Sequence, residues 1–244
     1  IERGEIDLIW APVQLVSDPP EKVHQTRKAG GQLIDSLTKI IGAPKNELLI
    51  VSAYFVPTDD GANALAEMSQ AGVDLRVLTN SYASTDVGAV HAGYAKHRER
   101  LTRAGVQLFE VPAPGDKPNT AHKFVRTGSR DRSGRSNSTL HATAFAADGT
   151  RLFVGSLNFD PRSFSLNTEL GIVIDSAALA KQMRQAFDDT IARNTYRVVL
   201  DGDELGWIDT RDDELVFERT EPGTTFLSRI VVRALERLPI DWLL

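Results

Sequence analysis

The chain contains no cysteine, which excludes disulfide bonds and thiolate metal sites. That absence fits a reducing compartment without requiring one. Aromatic residues are only 7% of the sequence, whereas a groove that binds single-stranded nucleic acid uses aromatics for stacking. Positive charge is not in excess either: 28 Lys and Arg against 33 Asp and Glu give a net charge of −5. No overall positive field draws such a chain to nucleic acid or anionic lipid, so any such attraction has to be local. No apolar run approaches the ~20 residues that cross a bilayer. There is no signal peptide, and Ile1 is not an initiator methionine, so the 244 residues are expected to begin inside a longer polypeptide. The sequence also lacks a Walker or Rossmann glycine fingerprint, an HExxH, a Cys/His cluster and an internal repeat. Gly-rich phosphate cradles are thereby excluded, and neither a metal nor another cofactor is expected.

What is present is an ordinary globular composition, 41% hydrophobic and 25% charged, long enough for one large domain or two small ones. Ile1 to Val16 alternates weakly and reads as an edge strand. Ser17-Asp18-Pro19-Pro20 suggests a helix start with Asp18 as cap. Leu33, Leu37, Ile40 and Ile41 fall at helical spacing. Glu47 to Val56 is a continuous apolar strand, a helix follows to Gln70, and Val73 to Thr79 is a second buried strand, the minimal parallel crossover unit. Asn80 to Gly88 is a polar loop at that strand's C-terminal end, where open α/β sheets place ligands. A third helix (87–104) and strand (106–111) continue the period. Pro112 to Ser138 then reads as a long basic flap, with Lys123 and Arg126 among its cations. Ala177 to Arg193 is helical. Three short strands between 196 and 218 form a meander, and an amphipathic helix runs from Gly223 to about Leu238. That helix either packs on the domain's own core or lies on a membrane surface. His24, His91, His97 and His122 fit no catalytic pattern and read as surface residues.

Thr139 to Gly171 carries the chemistry. Asp148-Gly149 is a hairpin signal between two β-compatible runs. Polar groups gather at the strand ends: His141, Ser156, Asn158, Asn167 and Glu169. Residues two apart on a strand share a face, so His141 goes with position 143, and Ser156 with Asn158.

This spacing resembles the phospholipase D superfamily signature H-x-K-x4-D-x6-G-S-x-N, running here through His141, position 143, Asp148 and Gly155-Ser156-Leu157-Asn158. Asn158-Phe159-Asp160-Pro161-Arg162-Ser163 and Asn167-Thr168-Glu169 look like the second half of a bacterial cardiolipin synthase. The resemblance covers most of the chain. It implies an α/β fold, an α/β/α sandwich with a mixed, mostly parallel central sheet. Residues 1–194 would form the lobe, and 195–244 an extension of meander and helix. It also implies a phosphatidyltransferase or phosphodiesterase without metal, in which two such motifs meet across a pseudo-twofold. One histidine attacks phosphorus to form a phosphohistidine, and the other protonates the leaving alcohol.

On that mapping His141 is nucleophile or acid, and Asp148 supports the motif's geometry and charge. Asn158 donates to phosphate, Ser156 holds the strand end, and Glu169 orients the histidine. Asn167, Lys123 and Arg126 add substrate contacts. One position departs: the signature's lysine is Thr143. Losing such a charge-assisted donor costs about 10²–10³ in rate. A second motif is also missing, so the chain is expected to be half of a bilobal enzyme, impaired by itself. Its partners would be a phospholipid headgroup or other phosphodiester, a second lobe from the same polypeptide or a homodimer mate, and the cytoplasmic face of a bacterial membrane as a peripheral contact. Nucleic acid is not expected. The alternatives are a non-catalytic phosphate-binding lobe and a nuclease of the same fold.

Overall fold

The computed structural model describes residues 8–24, 32–85, 87–113, 140–211 and 215–236. The first apolar alternation forms strand β1 (Val13–Ser17). After it, the described part of the expected helix, Pro20–His24, is a 3-10 turn. Asp18 caps a different element: its Oδ1 accepts the Leu33 N–H at 3.0 Å, in the first turn of α1 (Gln32–Ile41). Then come β2 (Glu47–Ser52), α2 (Asp59–Gln70), β3 (Asp74–Asn80), α3 (Gly88–Arg103) and β4 (Gln107–Val111), as the spacing predicts. Thr58 caps α2 by accepting the Gly61 N–H at 3.1 Å.

The hairpin is β5 (Thr143–Ala147) and β6 (Arg151–Gly155). Asp148 and Gly149 have φ of 51° and 63°, the left-handed pair of a type I′ turn, which the Thr150 N–H closes onto the Ala147 carbonyl at 3.2 Å; the register pairs Ala147 with Arg151, so Thr150 also belongs to the link. Next are α4 (Pro161–Ser165), β7 (Leu170–Asp175) and α5 (Ala177–Gln185). Helix α5 runs through a π-helical stretch (Ala186–Ile191) into α6 (Ala192–Asn194). The meander is β8 (Tyr196–Asp201), β9 (Glu204–Asp209) and β10 (Val216–Glu218), and α7 (Phe226–Glu236) follows it.

All the strands join one 10-stranded sheet in the order β1-β7-β6-β5-β2-β3-β4-β8-β9-β10. Helices α1, α2 and α3 cover one face, and α5 with the π-helical stretch covers the other, so the α/β/α layering holds. The mostly parallel sheet does not. Only β2–β3 and β3–β4 are parallel; the remaining pairings are antiparallel. The helix-linked segment 47–111 supplies the parallel part. A link as short as Asp148-Gly149-Thr150 can only join antiparallel neighbours. The meander is hydrogen-bonded to β4 through β8, and Tyr196, Val198 and Trp207 share a core cluster with α2 and α3.

Helix α7 buries Val232 and packs Leu235 against Val56, Val90 and Ala92. Its outer side leaves Phe226, Leu227, Ile230 and Val231 exposed. The basic flap, with Lys123 and Arg126, lies almost wholly outside the described residues, as do His122 and the last residues of the chain. His91 and His97 are not surface residues: each is 2% exposed, because α3 is wedged between the sheet and α7.

Two contacts fix the hairpin. Gly155 pairs with Gly171 of β7. A Cβ on Gly155 would fall 2.5 Å from both the Leu170 carbonyl oxygen and the Phe153 ring. Gly155→Ala is expected to cost about 1–3 kcal/mol by overpacking, read as a lower urea midpoint. At the turn, Asp148 Oδ1 accepts the backbone N–H groups of Lys45, Asn46 and Glu47 at 3.0, 2.7 and 3.1 Å. Partial burial opposes ionisation, but those donors outweigh it and hold the carboxyl below the usual range. A depressed folded value contributes stability above the unfolded value that is lost as pH falls through the folded one. Asp148→Asn should therefore destabilise by about 1 kcal/mol at neutral pH, less where solvent screens it. The difference from the unaltered chain should shrink in denaturation curves taken below about pH 4.

Candidate functional site

At the open end of the hairpin Thr143 faces Gly155. Thr143 is 5% exposed, and its hydroxyl donates to Asn158 Oδ1 at 3.1 Å. The same oxygen accepts the Tyr54 N–H at 3.3 Å. The segment after β6 docks along the chain beyond β2: Val56 donates its N–H to the Phe159 carbonyl at 2.7 Å, and Phe159 donates its own to Ser52 Oγ at 3.0 Å. The motif's second half thus sits at the C-terminal end of β2, beside the start of β5. With its carbonyl oxygen engaged twice, the Asn158 side chain keeps its NH₂ as the group left to offer a ligand.

His141 lies two residues before Thr143 and is exposed. The chain reaches it through a clamp that the sequence reading missed. Asn80, at the end of β3 and 4% exposed, accepts the Leu140 N–H at 3.1 Å and donates to the Leu140 and Ala53 carbonyls at 3.1 Å each. Ser84 Oγ bonds the Val111 carbonyl at 2.7 Å in the same loop. One signal for this was available: Asn80 opens the polar loop at a strand's C-terminal end, the usual ligand side of such a sheet.

Ser156 and Glu169 meet: the serine hydroxyl donates to Glu169 Oε2 and accepts the Leu170 N–H at 3.1 Å. Glu169 is 6% exposed, and its backbone is held on both sides by Asp18, whose N–H donates to the Glu169 carbonyl at 2.8 Å while Oδ2 accepts the Glu169 N–H at 3.2 Å. Lys22 lies 2.6 Å from Asp18 Oδ2 and also donates to the Ser163 carbonyl at 3.0 Å. This buried pair ties β1 to the start of β7. Asp148 is not brought together with the others. It sits at the closed end of the hairpin, a strand length of about 16 Å from Thr143 at ~3.3 Å per residue.

A cavity of about 320 Å³ opens beside this centre, lined by Tyr54, Val87, Val90, Asn158, Arg162 and Asn167 together with Asp160 and Ser163. Arg162 Nε donates to Asn167 Oδ1 at 3.2 Å. Asp160 caps α4, accepting the N–H groups of Arg162 and Ser163 at 2.8 and 2.9 Å and the Ser163 hydroxyl at 3.0 Å. Burial raises the Asp160 carboxyl's pKa; the Ser163 and Arg162 donors oppose it and the nearby Glu169 adds to it. Among the described residues no three His, Asp or Glu side chains come together as metal ligands.

A second polar centre lies beneath α3. Arg98, 4% exposed, reaches Glu221 at 2.6 Å and Glu110 at 2.9 Å. His91 Nε2 meets the same Glu221 oxygen at 2.6 Å, and Tyr94 and Trp207 both donate to Glu110 at 3.0 Å. Burial pushes the Glu221 carboxyl up, but Arg98 and His91 overcome it and hold the acid well below the usual range. This cluster ties the segment after β10 to α3 and β4, and Gly223, at φ +70°, lies against Ala83 of the loop after β3.

Residues 37–191 match the family model described as cardiolipin synthase, PLD-like domain. Cardiolipin synthase C of Escherichia coli (strain K12) is 39% identical over 242 residues, 99% of this chain and 50% of that protein. Cardiolipin synthase A of Yersinia pestis is 26% identical over 185 residues, 76% of this chain and 30% of that one. The chain thus spans about half the length, or less, of the curated relatives it matches. Among solved structures, phosphatidylserine synthase from Haemophilus influenzae aligns with a TM-score of 0.54 at 12% identity, over 95% of this chain and 46% of that one. Nuc, a phospholipase D family member from Salmonella typhimurium, aligns with a TM-score of 0.51 at 17% identity, over 78% of this chain and 100% of that one. These two likenesses show the shared fold. The convergence of positions 143 and 158, the family match and the full-length identity together establish that the chain belongs to the cardiolipin synthase, phospholipase D-like domain family.

Proposed function

We propose that the chain is one lobe of a phospholipase D-like phosphatidyltransferase that works through a phosphohistidine, slowed here by Thr143. The observation that carries this is the Thr143–Asn158 hydrogen bond. It puts the signature's lysine position and its asparagine side by side, two residues after His141. In the reaction, an imidazole nitrogen attacks phosphorus and the P–O bond to the leaving alcohol breaks. A proton from the other lobe's histidine, whichever of the two lobes supplies the nucleophile, goes to that oxygen. The incoming alcohol then returns a proton to that histidine, attacks phosphorus and breaks the P–N bond. His141 takes one of these two roles. Thr143 offers a neutral hydrogen bond where the signature has a cation beside the charged transition state.

A second lobe is needed, and an exposed surface is suited to it. Val13, Leu15, Val154 and Leu170 are 59, 73, 42 and 59% exposed. They lie on neighbouring strands β1, β7 and β6, on one side of the sheet by the strand alternation. The patch ends at Leu170, beside Glu169 and Ser156. Contiguous apolar surface of this kind marks an interface. The mate is the other half of a longer polypeptide or a second copy. A peripheral contact with the cytoplasmic side of a bacterial membrane is part of the same reading, supported by the exposed apolar side of α7. No helix among the described residues is long and apolar enough to cross a membrane. The alternative of a non-catalytic phosphate-binding lobe rests on Thr143 alone.

The test joins this chain to the N-terminal half of the similar Escherichia coli cardiolipin synthase C and measures cardiolipin formed from phosphatidylglycerol vesicles. Thr143→Lys is expected to raise turnover about 10²–10³-fold in the joined protein and to do nothing in the isolated chain. His141→Ala should abolish the gain. A joined Thr143→Lys protein no faster than its Thr143 parent would remove the catalytic reading.

A further inference from the structure

The cavity beside Asn158 combines two carboxamides, the Arg162 guanidinium and the Asp160 carboxylate with the apolar Val87 and Val90. Asn158 Oδ1 is spent on the Thr143 hydroxyl and the Tyr54 N–H. Asn167 Oδ1 is spent on Arg162 Nε. Both Asp160 oxygens are spent on the cap of α4. A carboxamide whose oxygen is engaged presents only its NH₂, and a guanidinium has five N–H donors and no acceptor. The polar groups left for an occupant are therefore donors: the two amide NH₂ groups and the remaining N–H groups of Arg162. Arg162 has no carboxylate partner among the described ion pairs, and the neutral Asn167 holds its Nε at 3.2 Å. Its charge is positioned without being neutralised. The same lining includes Val87, Val90 and Tyr54. At about 320 Å³ the cavity has room for more than a bare oxyanion.

Two amide donors and the Arg162 guanidinium, beside an Asp160 carboxylate whose oxygens are taken up by the α4 cap and with apolar Val87 and Val90 in the same lining, suit an anion that has only acceptors and carries an aliphatic part. We infer that Arg162, held in place by Asn167, is the cation that binds the phosphate of an aliphatic phosphodiester in this lobe, in place of the lysine that position 143 lacks. This rests on the reading of the site given above. Arg162 acts on binding of the ground state. It leaves vacant the lysine's place next to the transition state, so a lobe that grips phosphate and turns it over slowly is the consequence. Asn167 is a positioning residue: it fixes one edge of the guanidinium, leaving the Nη groups to meet two oxygens of one phosphate in the fork geometry that lysine does not have.

The experiment titrates the chain with dihexanoylphosphatidylglycerol, a soluble phosphodiester, and follows the Arg162 Nε–H resonance together with the His141 and Asn158 side-chain signals. All three should shift along one saturating curve, at an affinity that falls with added salt. Arg162→Gln is expected to weaken binding about tenfold or more, the usual worth of a charge-assisted bond. Arg162→Lys should lie between, and Asn167→Ala should weaken binding less while broadening the Arg162 signal. Adding Thr143→Lys to Arg162→Gln should restore affinity, since a cation returns on the other side of Asn158. Arg162 is exposed, so Arg162→Gln and Arg162→Lys should keep the unaltered chain's unfolding midpoint. If Arg162→Gln binds as tightly as the unaltered chain while His141 and Asn158 still respond, the inference fails and the reading of the site survives. If the double variant is no tighter than Arg162→Gln, the idea that one cation stands in for the other is overturned. If the unaltered chain does not bind at all, both fall together.

Discussion

The amide oxygen of Asn158 is the point on which the site depends. It receives the hydroxyl of Thr143 from β5 and the N–H of Tyr54 from the chain beyond β2. Three segments distant in sequence are thereby pinned at one end of the sheet. The arrangement also settles which side of the amide faces outward, because a carbonyl oxygen engaged twice leaves the NH₂ as the free face. The backbone bonds of Phe159 to Ser52 and of Val56 to Phe159 hold the same junction from below. The chain leading into His141 is fixed by the bonds between Asn80 and the Leu140 peptide.

The two ends of the hairpin divide the signature's work. The closed end is structural: Asp148 takes three backbone N–H groups and adopts the left-handed turn conformation, so the aspartate sets where β5 ends relative to the start of β2. The open end carries the polar groups. Between them, Gly155 and Gly171 let β6 and β7 approach under the Phe153 ring, which stacks on Phe145 at 4.5 Å. The motif's glycine is required by that close approach, and its serine by the hydrogen bond to Glu169. The buried Asp18–Lys22 pair then locks Glu169 from the other side. Breaking one partner of such a pair leaves a buried charge, so β1 is committed to its edge position.

Local signals in the sequence were reliable where the chemistry is local. The I′ turn at Asp148-Gly149, the Thr58 cap and the helix periods of α2 and α3 were all legible. Strand direction in the second half was not, because apolar runs such as Leu170–Ile174 read alike in parallel and antiparallel sheets. Asp18 was read as the cap of its own turn, yet it serves α1, and only the fold brings Leu33 to it. The His91–Arg98–Glu221–Glu110 cluster joins residues from α3, β4 and the C-terminal segment. No spacing rule links positions 91 and 221, so two buried histidines looked like surface ones. Arg162, four residues after Asn158, lines the cavity, and nothing in its spacing distinguishes it from the basic residues of 117–135. Lys123 and Arg126 lie outside the described residues and carry no part of this account.

The account's central claim is that the imidazole of His141 and the amide of Asn158 grip one tetrahedral anion at the mouth of the sheet. A crystal structure of the chain soaked in tungstate tests it most directly. The prediction is an oxyanion within hydrogen-bonding reach, about 3 Å, of both His141 and the Asn158 NH₂, with the Thr143–Asn158 bond intact. An oxyanion that settles only elsewhere, with the two side chains turned away from each other, would contradict it.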